Sequence, residues 1–188
     1  MSTGRLIVVS GPSGSGKTTI CDRLERDYGC EYVVTATTRA PRPGETNGID
    51  YIFYSRPEFE RRLAAGEFLE HAEVHRNLYG TPRHTVESAL QRGATLILEI
   101  DTQGAAQIRK CNIVHTSIFI HVPEIKILER RLRARNTDTD TTITDRLRRA
   151  KEEIEEGASY DYVVVNDDLE TAIETVAKKL MLRKKQTG

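Results

Sequence analysis

Residues 11–18 read GPSGSGKT, and no other run constrains the chain as much. Ahead of it, residues 6–10 (LIVVS) are short, apolar and rich in β-branched side chains, the pattern of a buried strand. After it, residues 17–28 carry Ile20, Leu24 and Tyr28 four apart with no Gly or Pro, the pattern of a helix. Strand, glycine loop and helix in that order make an anion cradle. Gly11, Gly14 and Gly16 let the backbone curl until successive N–H groups point inward. The first helical turn adds donors without partners and the positive end of the helix dipole. Lys17 brings a point charge, and the Thr18 hydroxyl is a donor that Mg²⁺ accepts. The run is therefore read as a phosphate-binding P-loop of the Walker A type.

The bulk numbers narrow the setting. A chain of 188 residues fits one domain and can build a core without staples. Its 28 basic and 28 acidic residues balance, so no nucleic acid or anionic membrane partner is called for. Cys21, Cys30 and Cys111 are odd in number and form no CxxC pair, which speaks against a disulfide framework or zinc site and for a reducing compartment. With no charged-then-apolar leader and no apolar run of membrane-spanning length, a cytoplasmic chain is expected.

Strand and helix patterns alternate along the chain, which predicts an α/β fold with a mostly parallel sheet flanked by helices. Strand patterns fall at residues 32–35, 51–54, 68–74, 95–100, 118–122 and 163–165. Ser55 and Glu58, with Pro57 between them, open a helix that closes near Gly66. Pro82 and Gly93 bracket another helix. A helix from about residue 123 breaks at the NTDTDTT tract, a further one runs over 143–156, and the last runs over 168–183. Two stretches depart from a simple alternation. Residues 35–81 hold many short strands and loops. Residues 124–156 are highly charged, with Arg130, Arg131, Arg133, Arg135, Arg146, Arg148 and Arg149. Both read as insertions into a phosphate-binding core.

Three further groups bear on chemistry. In TTRAPRPGE, Arg39 and Arg42 stand beside Pro41 and Pro43, which stiffen the loop. Guanidinium forks suit phosphate, and Glu45 can orient either arginine. A solvated basic loop is the plain alternative. Glu99 and Asp101 close an apolar strand with both carboxylates on one side, where P-loop proteins hold Mg²⁺ or its water shell. The arginines of residues 124–156 fit either a solvated helix face or a cover that stabilises a transferring phosphoryl group. His71 and His75 lie four apart in HAEVH, but the glutamate is misplaced for a zinc helix and the run alternates like a strand, so no metal site is read there.

Taken together, these segments resemble guanylate kinase over nearly the whole chain. The likeness rests on VVSGPSGSGKTT, TTRAPRPGE, NGIDYIF, EFLEHAEVHRNLYGTP, LILEIDTQG, RRLRARNTDT and VVVNDDL. TTRxPRxGE with NGxDYxF and a later YGTP is highly specific, whereas the P-loop alone is shared by many families. The resemblance implies phosphoryl transfer from ATP to GMP, and to dGMP, with Mg²⁺. It implies a P-loop NTPase fold with a core (1–34, 82–123, 157–188), a GMP-binding insertion (35–81) and a helical lid (124–156). Gly11, Pro12, Ser13, Gly14, Ser15, Gly16, Lys17, Thr18 and Thr19 would hold ATP, with Asn166 and its neighbours near the adenine. Arg39, Arg42, Tyr51 and Tyr79 would hold the GMP phosphate, with Glu45 beside them.

For the base, Glu70 and Asp101 would accept the guanine N–H donors, and Thr35 and Thr81 would add hydroxyls. Adenine lacks the paired donor edge and would leave the carboxylate unpaired. Glu99 would serve Mg²⁺ through water, beside Thr18. Arg131, Arg135 and Arg146 would be lid arginines that join Lys17 and Arg39 in catalysis. Thr35 stands where the family usually has Ser and Glu99 where Asp is common, and both keep the chemistry. Asn136 replaces a frequent lid glycine. A non-catalytic binding module and a P-loop kinase for a sugar phosphate are the rival readings. The first fits poorly with an intact P-loop, and the second does not need Glu70 with Asp101. No obligate protein partner is expected.

Overall fold

In a computed structural model, residues 4–74, 76–134 and 139–185 are described. Five strands form an all-parallel sheet in the order β2-β7-β1-β8-β9: β1 (Arg5–Ser10), β2 (Glu31–Tyr32), β7 (Thr95–Glu99), β8 (His115–His121) and β9 (Tyr162–Val165). The expected P-loop α/β core is thus present. β1 is central because it is buried on both faces. Ile7 and Val9 face one layer with Ile20, Leu24, Ile173 and Val176, and Leu6 and Val8 face the other with Val86, Ala89 and Ile108. Alternation along the strand makes two cores from one run of apolar residues.

The first layer is built by α1 (Lys17–Tyr28) and α7 (Leu169–Lys179), the second by α3 (Arg83–Gln91) and α4 (Thr102–Lys110). α7 is shorter than its sequence pattern suggests. α4 has no counterpart in the sequence reading, because TQGAAQIRK carries a glycine and few large apolar residues. Asp101 starts it by accepting the Gly104 N–H at 2.8 Å.

A second, four-stranded sheet has the order β4-β3-β6-β5: β3 (Ala36–Thr37), β4 (Ile52–Phe53), β5 (Phe68–Val74) and β6 (Asn77–Pro82). The strand expected at 32–35 is instead split, with β2 in the core sheet and β3 in this one. The split carries the chain from the core sheet into this one, although Leu69 of β5 still packs in the second core layer. α2 (Arg56–Ala64) closes this sheet's own small core through Phe59, stacked on Phe68 with ring centroids 4.4 Å apart. Ser55 caps α2 by accepting the Glu58 N–H. Glu58 turns its carboxylate to Arg61 and Arg62 rather than back to Ser55.

The charged stretch forms α5 (Ile125–Ala134) and α6 (Asp140–Glu156). α6 begins three residues before the sequence pattern places it. Thr139 accepts the Thr142 N–H, so part of the TDTDTT tract is a helix start rather than a break. Arg135 and Asn136 lie outside the described residues, as does His75.

Leu24 is fully buried where α1 meets the sheet. Leu24→Ala should therefore cost about 3 kcal/mol of stability, read by urea unfolding. A loss below 1 kcal/mol would contradict the packing described.

Candidate active site

The P-loop leaves the carboxyl end of β1, between the ends of β7 and β8, where ligands bind in open parallel sheets. Gly11 and Gly16 have φ of 149° and 87°. A Cβ at Gly11 would lie 2.0 Å from the Ile120 carbonyl oxygen, and one at Gly16 would lie 2.3 Å from Asn166 Nδ2. Any side chain there would push the loop off the sheet. The Ser15 N–H donates to the Pro12 carbonyl, which also lies 3.5 Å from Lys17 Nζ. Thr18 and Thr19 open α1 and are exposed.

Asn166, at the end of β9, is 2% exposed and donates from Nδ2 to the Ser15 carbonyl at 2.7 Å. Arg131 reaches the same outer surface of the loop, donating to the Gly14 and Ser15 carbonyls. Arg146 donates to Ser13 Oγ at 3.1 Å. Two of the three expected lid arginines thus meet the P-loop in this structure. Asp167, the neighbour of Asn166, lines a cavity of about 330 Å³ with Ile127, Arg130 and Arg131 beside the loop.

A second constellation lies between the two sheets. Thr35, Tyr51, Glu70, Tyr79, Glu99 and Asp101 line one cavity of about 180 Å³. Residues from five segments converge there. Thr35 precedes β3, Tyr51 precedes β4, Glu70 is on β5 and Tyr79 on β6. Glu99 ends β7, and Asp101 caps α4. Glu70 is nearly buried, and its Oε1 accepts the Thr81 hydroxyl at 2.5 Å. Burial pushes its carboxyl up to about 7, and the nearby Asp101 carboxylate adds to the rise, while the Thr81 hydrogen bond opposes it. Glu99 accepts the Thr18 hydroxyl at 2.8 Å, linking this cavity to the P-loop.

Next to Tyr51, Arg39 makes a bidentate pair with Glu45 at 2.8 and 3.0 Å. Its guanidinium also lies 5.4 Å from the Tyr51 ring centroid, and Tyr51 meets Tyr79 edge-on. Glu45 accepts the Arg42 backbone N–H as well. Arg39 foremost, then this N–H, holds the Glu45 carboxyl below its usual range. Glu45 therefore orients both arginine positions.

Sequence reasoning missed Glu153. It sits on α6 seven residues after Arg146, on the same helix face, and shares a cavity with Ser13 and Arg149. Burial pushes its carboxyl up to about 7, with Lys17 and Arg149 opposing and Asp101 adding to the rise. That seven-residue spacing was the available signal. His71 lies on β5. Among the described residues no three His, Cys, Asp or Glu side chains are arranged to hold a metal, and no helix is long and apolar enough to cross a membrane.

A P-loop, a carboxylate at the end of the adjacent strand and an arginine-bearing helical cover define a P-loop phosphotransferase. The guanylate kinase family profile matches residues 3–183. Guanylate kinase from Carboxydothermus hydrogenoformans is 47% identical over 98% of this chain and 91% of its own. That from Rubrobacter xylanophilus is 50% identical over 93% and 92%. A crystal structure of guanylate kinase from Anaplasma phagocytophilum aligns with TM-score 0.73 at 36% identity, covering 96% of this chain and 86% of that one. The chain belongs to the guanylate kinase family and is a nucleoside monophosphate kinase.

Glu70 supplies a physical check. Its raised value means that folding takes up a proton between the ordinary carboxyl value of 4.5 and about 7. Stability should fall as pH rises through that window, and Glu70→Gln should flatten the fall. The Glu70 carboxyl carbon should titrate near pH 7 by NMR in the ligand-free protein. A midpoint near 4.5 would contradict its burial beside Asp101.

Proposed function

We propose that this chain transfers the γ-phosphoryl group of ATP to GMP, giving ADP and GDP, with the second sheet binding the acceptor and α5–α6 covering the donor. The observation that carries the reading is the joint cavity. It is lined by two carboxylates, Glu70 and Asp101, together with Tyr51 and Tyr79; Arg39 lies over the Tyr51 ring, and the Thr18–Glu99 bond joins the cavity to the P-loop. Guanine presents an N–H and an adjacent amino group, and Glu70 accepts from both once ionised. Asp101 adds a second acceptor, and Thr35 and Thr81 add hydroxyls. Adenine lacks this paired donor edge and would leave the buried Glu70 carboxylate incompletely paired. A sugar phosphate offers hydroxyls but no such paired edge.

The phosphate of GMP goes to Arg39, Arg42, Tyr51 and Tyr79. Glu45 aims Arg39 beforehand, so less is lost in ordering it. ATP goes to the P-loop residues Gly11 to Thr19. Its adenine goes to the cavity beside Asp167 and Arg130, with Asn166 holding the loop beneath. Lys17, with Arg131, Arg146 and Arg135 from the lid, stabilises the charge spread over the transferring group. The Thr18 hydroxyl and Glu99 carboxylate are hard oxygen donors side by side, the kind that suits Mg²⁺ with retained water. Mg²⁺ bound there would neutralise charge on the ATP phosphates. An open cleft of about 570 Å³ lies between Thr18, Asp22 and Glu99 on the core and Ile49 to Tyr51 on the insertion. Closing residues 35–81 and 124–156 over it would exclude water and protect the phosphoryl group from hydrolysis. The family setting and the balanced charge support a cytoplasmic enzyme with small-molecule substrates.

Steady-state kinetics test the roles separately. Lys17→Ala should lower kcat at least about 100-fold with folding intact, because its charge serves the phosphates. Near wild-type turnover would refute the P-loop role. Glu70→Ala should raise the KM for GMP about 100-fold while the KM for ATP changes less than about threefold. Unchanged GMP kinetics would make Glu70 a bystander. In the wild type, kcat/KM for GMP should fall below about pH 7 as Glu70 protonates, and the limb should vanish in Glu70→Gln. The same limb in that variant would assign it elsewhere.

A further inference from the structure

β5 is an edge strand, paired with no strand but β6 among the described residues. Its other side presents main-chain groups that must find partners. α4 lies along that side and supplies them from side chains. The His71 N–H donates to Gln107 Oε1 at 3.1 Å, and Gln107 Nε2 donates to the His71 carbonyl at 2.7 Å. One turn further, Cys111 Sγ donates to the Leu69 carbonyl at 3.2 Å. The anchored residues are the two neighbours of Glu70. One turn earlier, Gly104 leaves room for the Glu70 carboxylate: a Cβ there would stand 2.8 Å from Glu70 Oε2. At its start, α4 is capped by Asp101, the other acid of the cavity.

One helix face, Asp101, Gly104, Gln107 and Cys111, therefore bears on the Glu70 carboxylate and on both of its chain neighbours. Thr81 grips the carboxylate from the opposite side. We propose that α4 is the ruler of the guanine pocket, with Gln107 and Gly104 as positioning residues that hold Glu70 at the spacing from Asp101 that the guanine donor edge requires. The inference rests on Glu70 being the guanine acceptor. Neither residue touches the nucleotide; both act through Glu70.

The two positions make a discriminating pair. Gln107→Met keeps the length of the side chain and removes both bonds to His71. Gly104→Ala lies inside a helix, where Ala is favoured over Gly by about 1 kcal/mol. A merely structural glycine would thus give a more stable, equally active protein. Each variant is compared with the wild type for the KM of GMP and of ATP, for kcat, and for the ratio of kcat/KM between GMP and IMP, which lacks the 2-amino group. Both variants should raise the KM for GMP about five- to twenty-fold, leave the KM for ATP and kcat within about twofold, and lower the GMP-to-IMP ratio.

An unchanged KM for GMP in folded Gly104→Ala would overturn the inference. So would GMP and ATP KM values that rise together in either folded variant. If Gln107→Met does not fold, Gly104→Ala decides alone. Glu70→Gln is run beside them. If it leaves the KM for GMP unchanged, the guanine role of Glu70 fails, and the positioning role falls with it by a distinct result.

Discussion

A phosphate loop that turns its N–H groups inward must turn carbonyl oxygens outward, and those oxygens need partners of their own. In this chain Asn166 and Arg131 supply them. Asn166 reaches from the end of β9 to the Ser15 carbonyl, and Arg131 reaches from α5 to the Gly14 and Ser15 carbonyls. The loop is thus braced from the core sheet and from α5 at the same point. Gly16 is the residue that lets Asn166 in so close. Much of the rest follows from that bracing. It fixes the start of α1, and so the Thr18 hydroxyl and its bond to Glu99. It also ties the position of α5 to the shape of the loop, because Arg131 belongs to both.

Charge is handled in the same economical way. Arg39 is paired with Glu45 and lies over the Tyr51 ring, so its guanidinium is held in one direction. Glu70 and Asp101 are the opposite case. Two carboxylates facing one cavity, one of them nearly buried, raise the cost of ionising Glu70. That cost falls when donors arrive. In the proposed function guanine would bring them on the edge that separates it from adenine, and the relief of that cost would add to selectivity.

Most of the fold was legible because the core strands are apolar on both faces and the P-loop announces its own strand and helix. In the second sheet, β5 and the place of β4 were legible as strand patterns at 68–74 and 51–54, whereas β3 and β6 were not. β3 is two residues long, too short for periodicity to register. α4 escaped notice because its glycine and its polar residues are there to fit β5, a contact that sequence spacing does not reveal. The P-loop residues and the Arg39–Glu45 loop could be read from chemistry alone. The pairing of Glu70 with Asp101 could not, since 31 positions separate them; only the family resemblance placed them together. Asn166, expected near the adenine, also braces the loop through its side chain, a role that sequence spacing does not reveal.

The central claim is that the shared cavity selects a guanine acceptor for phosphoryl transfer from ATP. The direct measurement is initial-rate turnover with ATP, Mg²⁺ and a panel of acceptors: GMP, dGMP, AMP, UMP and ribose bisphosphate. The account predicts turnover with GMP and dGMP, and kcat/KM at least about 100-fold lower for AMP, UMP and the sugar phosphate, from the unpaired carboxylates alone. Equal turnover of AMP and GMP, or preference for the sugar phosphate, would contradict it.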